Sequence, residues 1–305
     1  MIERPHRVRA ADGTALVLTE LGESRGAWAV ILFHGFAQNR SAYVEGALPA
    51  ALIEQGARVF AAELRGHGRS KHAGLSLDHG LATYLDQDLP ALVDAARAIA
   101  GVERIVLVGH SMGGILGYAH LARDHRLSGL VTLGAPVIFG ADRPVLRATA
   151  RVVRPFAARI PTAGLPIDRL LRTLARAATM PPGKGVFELW RLGNPREADV
   201  EALLRVLRSA EPASRKVLLE LLTIIESGKA SIAGIDLEQA VAAANIPLLA
   251  VIAGRDIFAS RASVEPVQRA GGEIVEWAES AHVDLSMGRR VHELAQKISA
   301  LYGRP

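Results

Sequence analysis

The chain has 305 residues, 50% hydrophobic and 22% charged, with a formal net charge of +5 at pH 7. That length suits one large domain with an insertion or two small domains, and the balance is that of a globular chain able to bury a large core. With no cysteine, disulfides, thiolate metal sites and a Cys nucleophile are excluded.

The opening, Met1 to Arg7, is charged with no apolar stretch behind it, so it does not read as a secretory signal. Nor does any apolar run approach the ~20 residues of a membrane span. A cytoplasmic location is the expectation, and a secreted form whose signal has been removed is also compatible. Val8 to Arg9 and Leu16 to Leu21 around Asp12-Gly13 predict a hairpin at a sheet edge. Short apolar runs then alternate with helical patterns: Ala29 to Phe33, Arg58 to Ala62, Ile105 to Val108, Gly129 to Leu133, Pro247 to Ala253 and Glu273 to Trp277. Runs this continuously apolar suit strands buried on both faces, and their alternation with helices predicts βαβ units in a mostly parallel sheet. Leu85, Leu89, Leu92, Ala96 and Ile99 form one helical stripe, with Asp86 and Asp88 near its positive end. Val291, Leu294, Ala295, Ile298 and Leu301 form another.

The alternation stops at about Val137 and resumes after Ala230. The stretch 137–230 reads as an all-helical cap inserted into a core of 1–136 and 231–305. Its apolar stripes are Val145, Thr149, Val152, Val153, Phe156 and Ile160 (bent at Pro155); Val200, Leu203, Leu204 and Leu207; and Val217, Leu218, Leu221, Leu222 and Ile225. Pro181-Pro182-Gly183 marks a turn between helices. From Ala141 to Ala230 there are 13 Arg and 3 Lys against 9 acidic residues. This excess is spread out, without the aromatic interleaving of single-strand binders, so no nucleic-acid partner is expected. A solvated Arg face and a weak membrane-surface contact are the two readings it allows. The sequence sets no oligomeric state.

Gly109-His110-Ser111-Met112-Gly113 directly follows the Ile105 to Val108 strand and precedes a helical segment. This is G-x-S-x-G in the strand–turn–helix setting that lifts a serine hydroxyl above a sheet. The glycines are needed because side chains at 109 and 113 would collide in so tight a turn. Serine needs a base held by an acid, and both follow the insertion in the order acid, then His. Asp256 lies just past the Pro247 to Ala253 strand, and His282 lies in the loop after Glu273 to Trp277, both at carboxyl ends of strands where open sheets place their sites. Asp142 and Asp284 compete for the acid role. The oxyanion donors are expected to be the backbone N–H groups of Met112 and of Phe36, in the loop His34-Gly35-Phe36-Ala37-Gln38. Phe139, Met180, Phe187 and Trp190 are candidate pocket residues. No His-Glu-x-x-His or phosphate loop is present, so no metal and no cofactor are expected.

Phe33-His34-Gly35-Phe36, Glu63-Leu64-Arg65-Gly66-His67-Gly68-Arg69-Ser70, Gly109 to Gly114, Gly254-Arg255-Asp256 and His282 occur in order. Together they resemble the α/β-hydrolase superfamily in its lipase and esterase branch, over about Trp28 to Leu301 apart from the cap. His282 to Gly288 is also similar to the histidine loop of acid lipases and polyhydroxyalkanoate synthases. The synthases use Cys where this chain has Ser111, so hydrolysis carries over and polymerisation does not. The resemblance implies an eight-stranded α/β-hydrolase fold, the triad Ser111, Asp256 and His282, and the donors Phe36 and Met112. It implies a small-molecule ester or lipid substrate, and the Leu, Ile and Val stripes of the cap with the candidate pocket residues favour an apolar acyl chain. Amide, thioester, lactone or C–C bond hydrolysis, acyl transfer, and a low-turnover ligand receptor remain open on the same residues.

Overall fold

The computed structural model describes residues 1–123, 126–139, 142–178, 193–194, 196–197 and 200–303. The expected hairpin opens the chain: β1 (Glu3–Arg9) and β2 (Ala15–Leu21) pair antiparallel across Asp12-Gly13. β3 (Trp28–Phe33), β4 (Ala57–Glu63), β5 (Arg104–His110) and β6 (Gly129–Leu133) follow, separated by helices. In the insertion, β7 (Gly164–Leu165) pairs antiparallel with β8 (Ala213–Ser214). A tight hairpin, β9 (Ser231–Ile232) and β10 (Ile235–Asp236), leads back to the sheet. β11 (Leu248–Ala253) and β12 (Glu273–Trp277) complete it. The order is β1-β2-β4-β3-β5-β6-β11-β12, antiparallel at β1–β2 and β2–β4 and parallel elsewhere.

Alternation along each strand supplies two cores, one per sheet face. In β3, Ala29, Ile31 and Phe33 join Leu92 and Leu116 on one face. Val30 and Leu32 join Tyr43, Leu294 and Ile298 on the other. This is why β3, β6 and β11 are buried at every position and read as continuous apolar runs. From β3 the chain crosses to β4 on one side and returns to β5 on the other. The sheet therefore has a switch point between β3 and β5, and the crevice beyond their carboxyl ends is where such sheets bind ligands.

Four sequence expectations change. The insertion is not all-helical, because β7 and β8 pair within it; two-residue strands are too short to show a period of two. In the last stripe Tyr302, not Leu301, turns inward: the Val291–Ile298 helix runs into a wide π-turn at Ser299–Gly303, which leaves Leu301 exposed. Asp88 is fully buried and holds Arg65, accepting from its backbone N–H and its guanidinium at 2.8 Å each, rather than simply serving a helix terminus. Finally, the Val145 stripe on the Pro144–Ala158 helix faces outward: Val145 is 78% exposed, Val152 61% and Phe156 67%. The small residues Ala150 and Ala157 pack inward instead, and this helix lies against Arg215–Ser227.

Candidate active site

Ser111 sits where β5 runs into the Met112–His120 helix, with φ 52° and ψ −118°. A positive φ is strained for any residue with a side chain, and the junction imposes it. A Cβ on Gly109 would lie 2.5 Å from Gly113, and one on Gly113 would lie 2.4 Å from the Phe33 carbonyl oxygen. Because the obstacle is backbone, no rotamer change relieves it. Gly113→Ala should cost 1–3 kcal/mol or more, seen as a clear fall in the midpoint of denaturant unfolding; an unchanged midpoint would contradict this packing. Met112 opens the helix, so its N–H has no intrahelical partner.

His282 follows β12, and its Nδ1 lies 2.7 Å from Asp256 Oδ2. Asp256, past the end of β11, is completely buried, and its other oxygen accepts from Phe258 N at 2.7 Å. Gly134, at the end of β6, makes room for the pair. Its φ is +61°, and a Cβ there would stand 2.9 Å from His282 Nδ1 and 3.0 Å from Asp256 Oδ2. The His282 ring lies between His110 and Phe258, with centroids 4.6 and 4.9 Å away. His110 Nε2 is 3.1 Å from the His282 carbonyl. Burial, helped by nearby His282, pushes His110 down to about 3, so it stays neutral. His34 is also buried and pushed down to about 4; Leu64 N donates to its Nε2, and its Nδ1 donates to Gly35 O.

The competing acids lie elsewhere. Asp142 is exposed, 3.7 Å from Arg143. Asp284 is buried and orients the histidine loop, accepting from Ala281 N at 2.7 Å and from Asn194 N at 3.0 Å. Burial pushes its carboxyl up to about 7 against those N–H groups. A carboxyl raised above its ordinary value of 3.8 stabilises the fold fully below that pH and loses the contribution as pH rises through about 7. Asp284→Asn should therefore gain several degrees in melting temperature relative to wild type between about pH 5 and about pH 8. A constant difference across that range would count against the raised carboxyl.

A cavity of about 470 Å³ brings Ser111, His282, Met112 and Phe36 to one space, within the usual range for small-molecule sites. Apart from Gln38, His110 and Thr149, its other side-chain walls are apolar. They include Phe139 from the candidate pocket set, Ile257 and Phe258 from the Asp256 loop, and Leu218, Leu221 and Ile225 from Arg215–Ser227. Met180, Phe187 and Trp190 lie outside the described residues, as does the expected turn at Pro181 to Gly183. Gln38, His110 and Phe258 were not singled out from sequence; Phe258, two residues past Asp256 and turned in by its bond, carried the most local signal. Among the described residues no group of three or more His, Cys, Asp or Glu could hold a metal ion.

The family model described as serine aminopeptidase, S33 (Hydrolase_4), matches residues 24–282. The chain belongs to this family. The match runs from just before β3 to His282 and so takes in every strand end that carries the site. Among curated relatives, the chain is 34% identical over 153 residues to a monoacylglycerol lipase of Mycolicibacterium smegmatis, covering 47% of this chain and 50% of the relative. It is 33% identical over 141 residues to a non-heme haloperoxidase of Rhodococcus erythropolis, covering 46% and 45%. The matches thus span about half the length of these relatives. Among solved structures, the esterase RhEst1 from Rhodococcus sp. ECU1013 aligns over 97% of this chain and 99% of its own, with TM-score 0.62 and 22% identity. A hydrolase from Pseudomonas aeruginosa PA01 aligns over 99% of each chain, with TM-score 0.66 and 18% identity. These likenesses show the α/β-hydrolase fold of this S33 family member.

Proposed function

We propose that the protein hydrolyses carboxylic esters of apolar acyl chains through an acyl-enzyme on Ser111. The supporting observation is the cavity, where a serine at a strained elbow and the histidine of a His–Asp pair share a space walled mostly by apolar side chains. His282 takes the Ser111 proton, and the oxygen attacks the ester carbonyl. The N–H groups of Met112 and Phe36 hold the oxyanion. His282 then protonates the departing alcohol, and water activated by the same ring releases the acid. Asp256 fixes the Nδ1–H tautomer and stabilises the imidazolium. The family name points to peptides, but a free peptide N-terminus would need a carboxylate to receive its ammonium. Among the described residues lining the cavity there is no Asp or Glu, which favours a neutral apolar ester. With 4-nitrophenyl esters of increasing length, kcat/KM should rise by about tenfold or more from acetate to a medium chain, since each buried CH₂ contributes roughly 0.8 kcal/mol. Preference for acetate would overturn the apolar-chain reading.

The outer face of Pro144–Ala158 supports a lipid surface as the place where such esters are met. Residues 143–167 carry five Arg and no acidic residue, beside exposed Val145, Val152 and Phe156. An apolar stripe flanked by arginines suits an anionic bilayer. Thr149 and Val153 belong both to this exposed side and to the cavity wall, so an acyl chain would have a short path inward. We propose that 137–230 acts as a cap over the site, with this helix as its outer surface. Co-sedimentation with phosphatidylglycerol vesicles should be strong at low salt, and weak at high salt or in Phe156→Asp. Equal sedimentation of wild type and Phe156→Asp would remove the helix from the contact.

A further inference from the structure

The loop carrying Phe36 is gripped from the inserted segment, and the grip centres on Glu211. Glu211 is 7% exposed and lies between Val200–Arg208 and β8. Its backbone N–H donates to Ala37 O at 2.9 Å. Its carboxylate accepts from Asn39 Nδ2 at 3.1 Å, from Gly68 N at 3.2 Å and from Lys71 Nζ at 2.5 Å. Asn39 Nδ2 also donates to Ser209 O at 3.0 Å. Ala37, Asn39, Gly68 and Lys71 lie in the two loops that leave the carboxyl ends of β3 and β4. The gripped loop is under strain: Ala37 has φ 55°, a conformation that side-chain-bearing residues rarely hold without outside support. Phe36, the residue before it, has no margin for movement, because a donor displaced by about 1 Å can cost 10²-fold in rate. Within the loop, Gly35 N donates to Gln38 Oε1 at 3.0 Å. The same Gln38 oxygen lies 3.1 Å from His110 Nδ1, which ties the turn to the β5 elbow on one side, while Glu211 and Ser209 hold Ala37 and Asn39 from the inserted segment on the other.

We propose that Glu211 is a positioning residue that holds the Phe36 N–H where the oxyanion forms, so that the oxyanion hole is complete only while the inserted segment is seated on the core. The inference rests on the acyl-enzyme reading and adds a coupling between cap position and catalytic competence. A second bond between insertion and core serves as the control. Glu220 accepts from Leu81 N at 2.6 Å, so it fastens the same insertion away from the Phe36 loop.

The test compares wild type, Glu211→Ala, Glu211→Gln and Glu220→Ala with a medium-chain nitrophenyl ester and with a trifluoromethyl ketone of the same chain. The ketone's hemiketal oxyanion occupies the hole while its chain fills the same pocket as the ester, so a change in its inhibition constant at unchanged KM reports the hole. Glu211→Ala should lower kcat by about 10- to 100-fold with KM nearly unchanged, and weaken ketone inhibition by a similar factor. Glu211→Gln keeps acceptors for Asn39 and Gly68 and should lose less. Glu220→Ala should lower the melting temperature and leave kcat and ketone inhibition as in wild type. A folded Glu211→Ala with wild-type kcat and ketone inhibition would overturn the proposal, as would a rise in KM alone. Where Glu211→Ala does not fold, Glu211→Gln is judged by the same criteria. If wild type itself neither turns over the ester nor binds the ketone, the acyl-enzyme reading fails and this inference fails with it; if wild type does both, only the Glu211 comparison is at stake.

Discussion

Ser111→Ala should lower kcat by about 10⁶, to the residue of rate that binding and oxyanion contacts give without a nucleophile. The loss is this large because serine, base and acid act as a unit: without the hydroxyl, the His282–Asp256 pair has no proton to receive. Stability should move differently. The elbow holds residue 111 at φ 52°, so Ser111→Ala keeps the strain and should melt close to wild type. Ser111→Gly removes the strain, and should melt at or above Ser111→Ala although glycine ordinarily costs about 0.5–1 kcal/mol in chain entropy. Kinetics and thermal melts on the two variants check both parts. Turnover by Ser111→Ala within about tenfold of wild type would displace Ser111 from the mechanism.

Asp256→Asn should lower kcat by about 10⁴ with the fold intact. The carboxylate accepts from His282 Nδ1 at 2.7 Å and from Phe258 N at 2.7 Å. An amide can still accept the Phe258 bond through its oxygen, so the loop keeps its shape. Its NH₂ then faces His282 Nδ1 as a donor, which shifts the ring proton to Nε2 and leaves no base toward Ser111. Asp142→Asn should leave kcat within about twofold, because Asp142 is exposed beside Arg143. The reverse pattern, loss at 142 and retention at 256, would reassign the acid.

The elbow was legible in the sequence because its demands are local: a strand, a glycine on each side of one serine, then a helix. The strands were legible for a similar reason, since burial on both faces leaves little room for polar residues in β3, β6 and β11. Periodicity failed where partners decide the outcome. The Val145 stripe has helical spacing, but spacing shows only that a face is apolar and not that anything covers it. At the C-terminus, a π-turn shifts the register and exchanges Leu301 for Tyr302. Glu211 carried no local signal at all, because its role depends on Asn39, 172 positions away. Gly134 lies between, visible as a glycine after a strand, yet its purpose shows only once His282 and Asp256 stand beside it.

Whether Ser111 is an activated nucleophile is decided by labelling the folded protein with a fluorophosphonate and locating the modified peptide by mass spectrometry, in wild type and in His282→Ala. Labelling is expected at Ser111 in wild type, with a loss of several orders of magnitude in labelling rate in His282→Ala. Labelling at another residue, no labelling of the folded wild type, or labelling of Ser111 at the same rate in both proteins would contradict it.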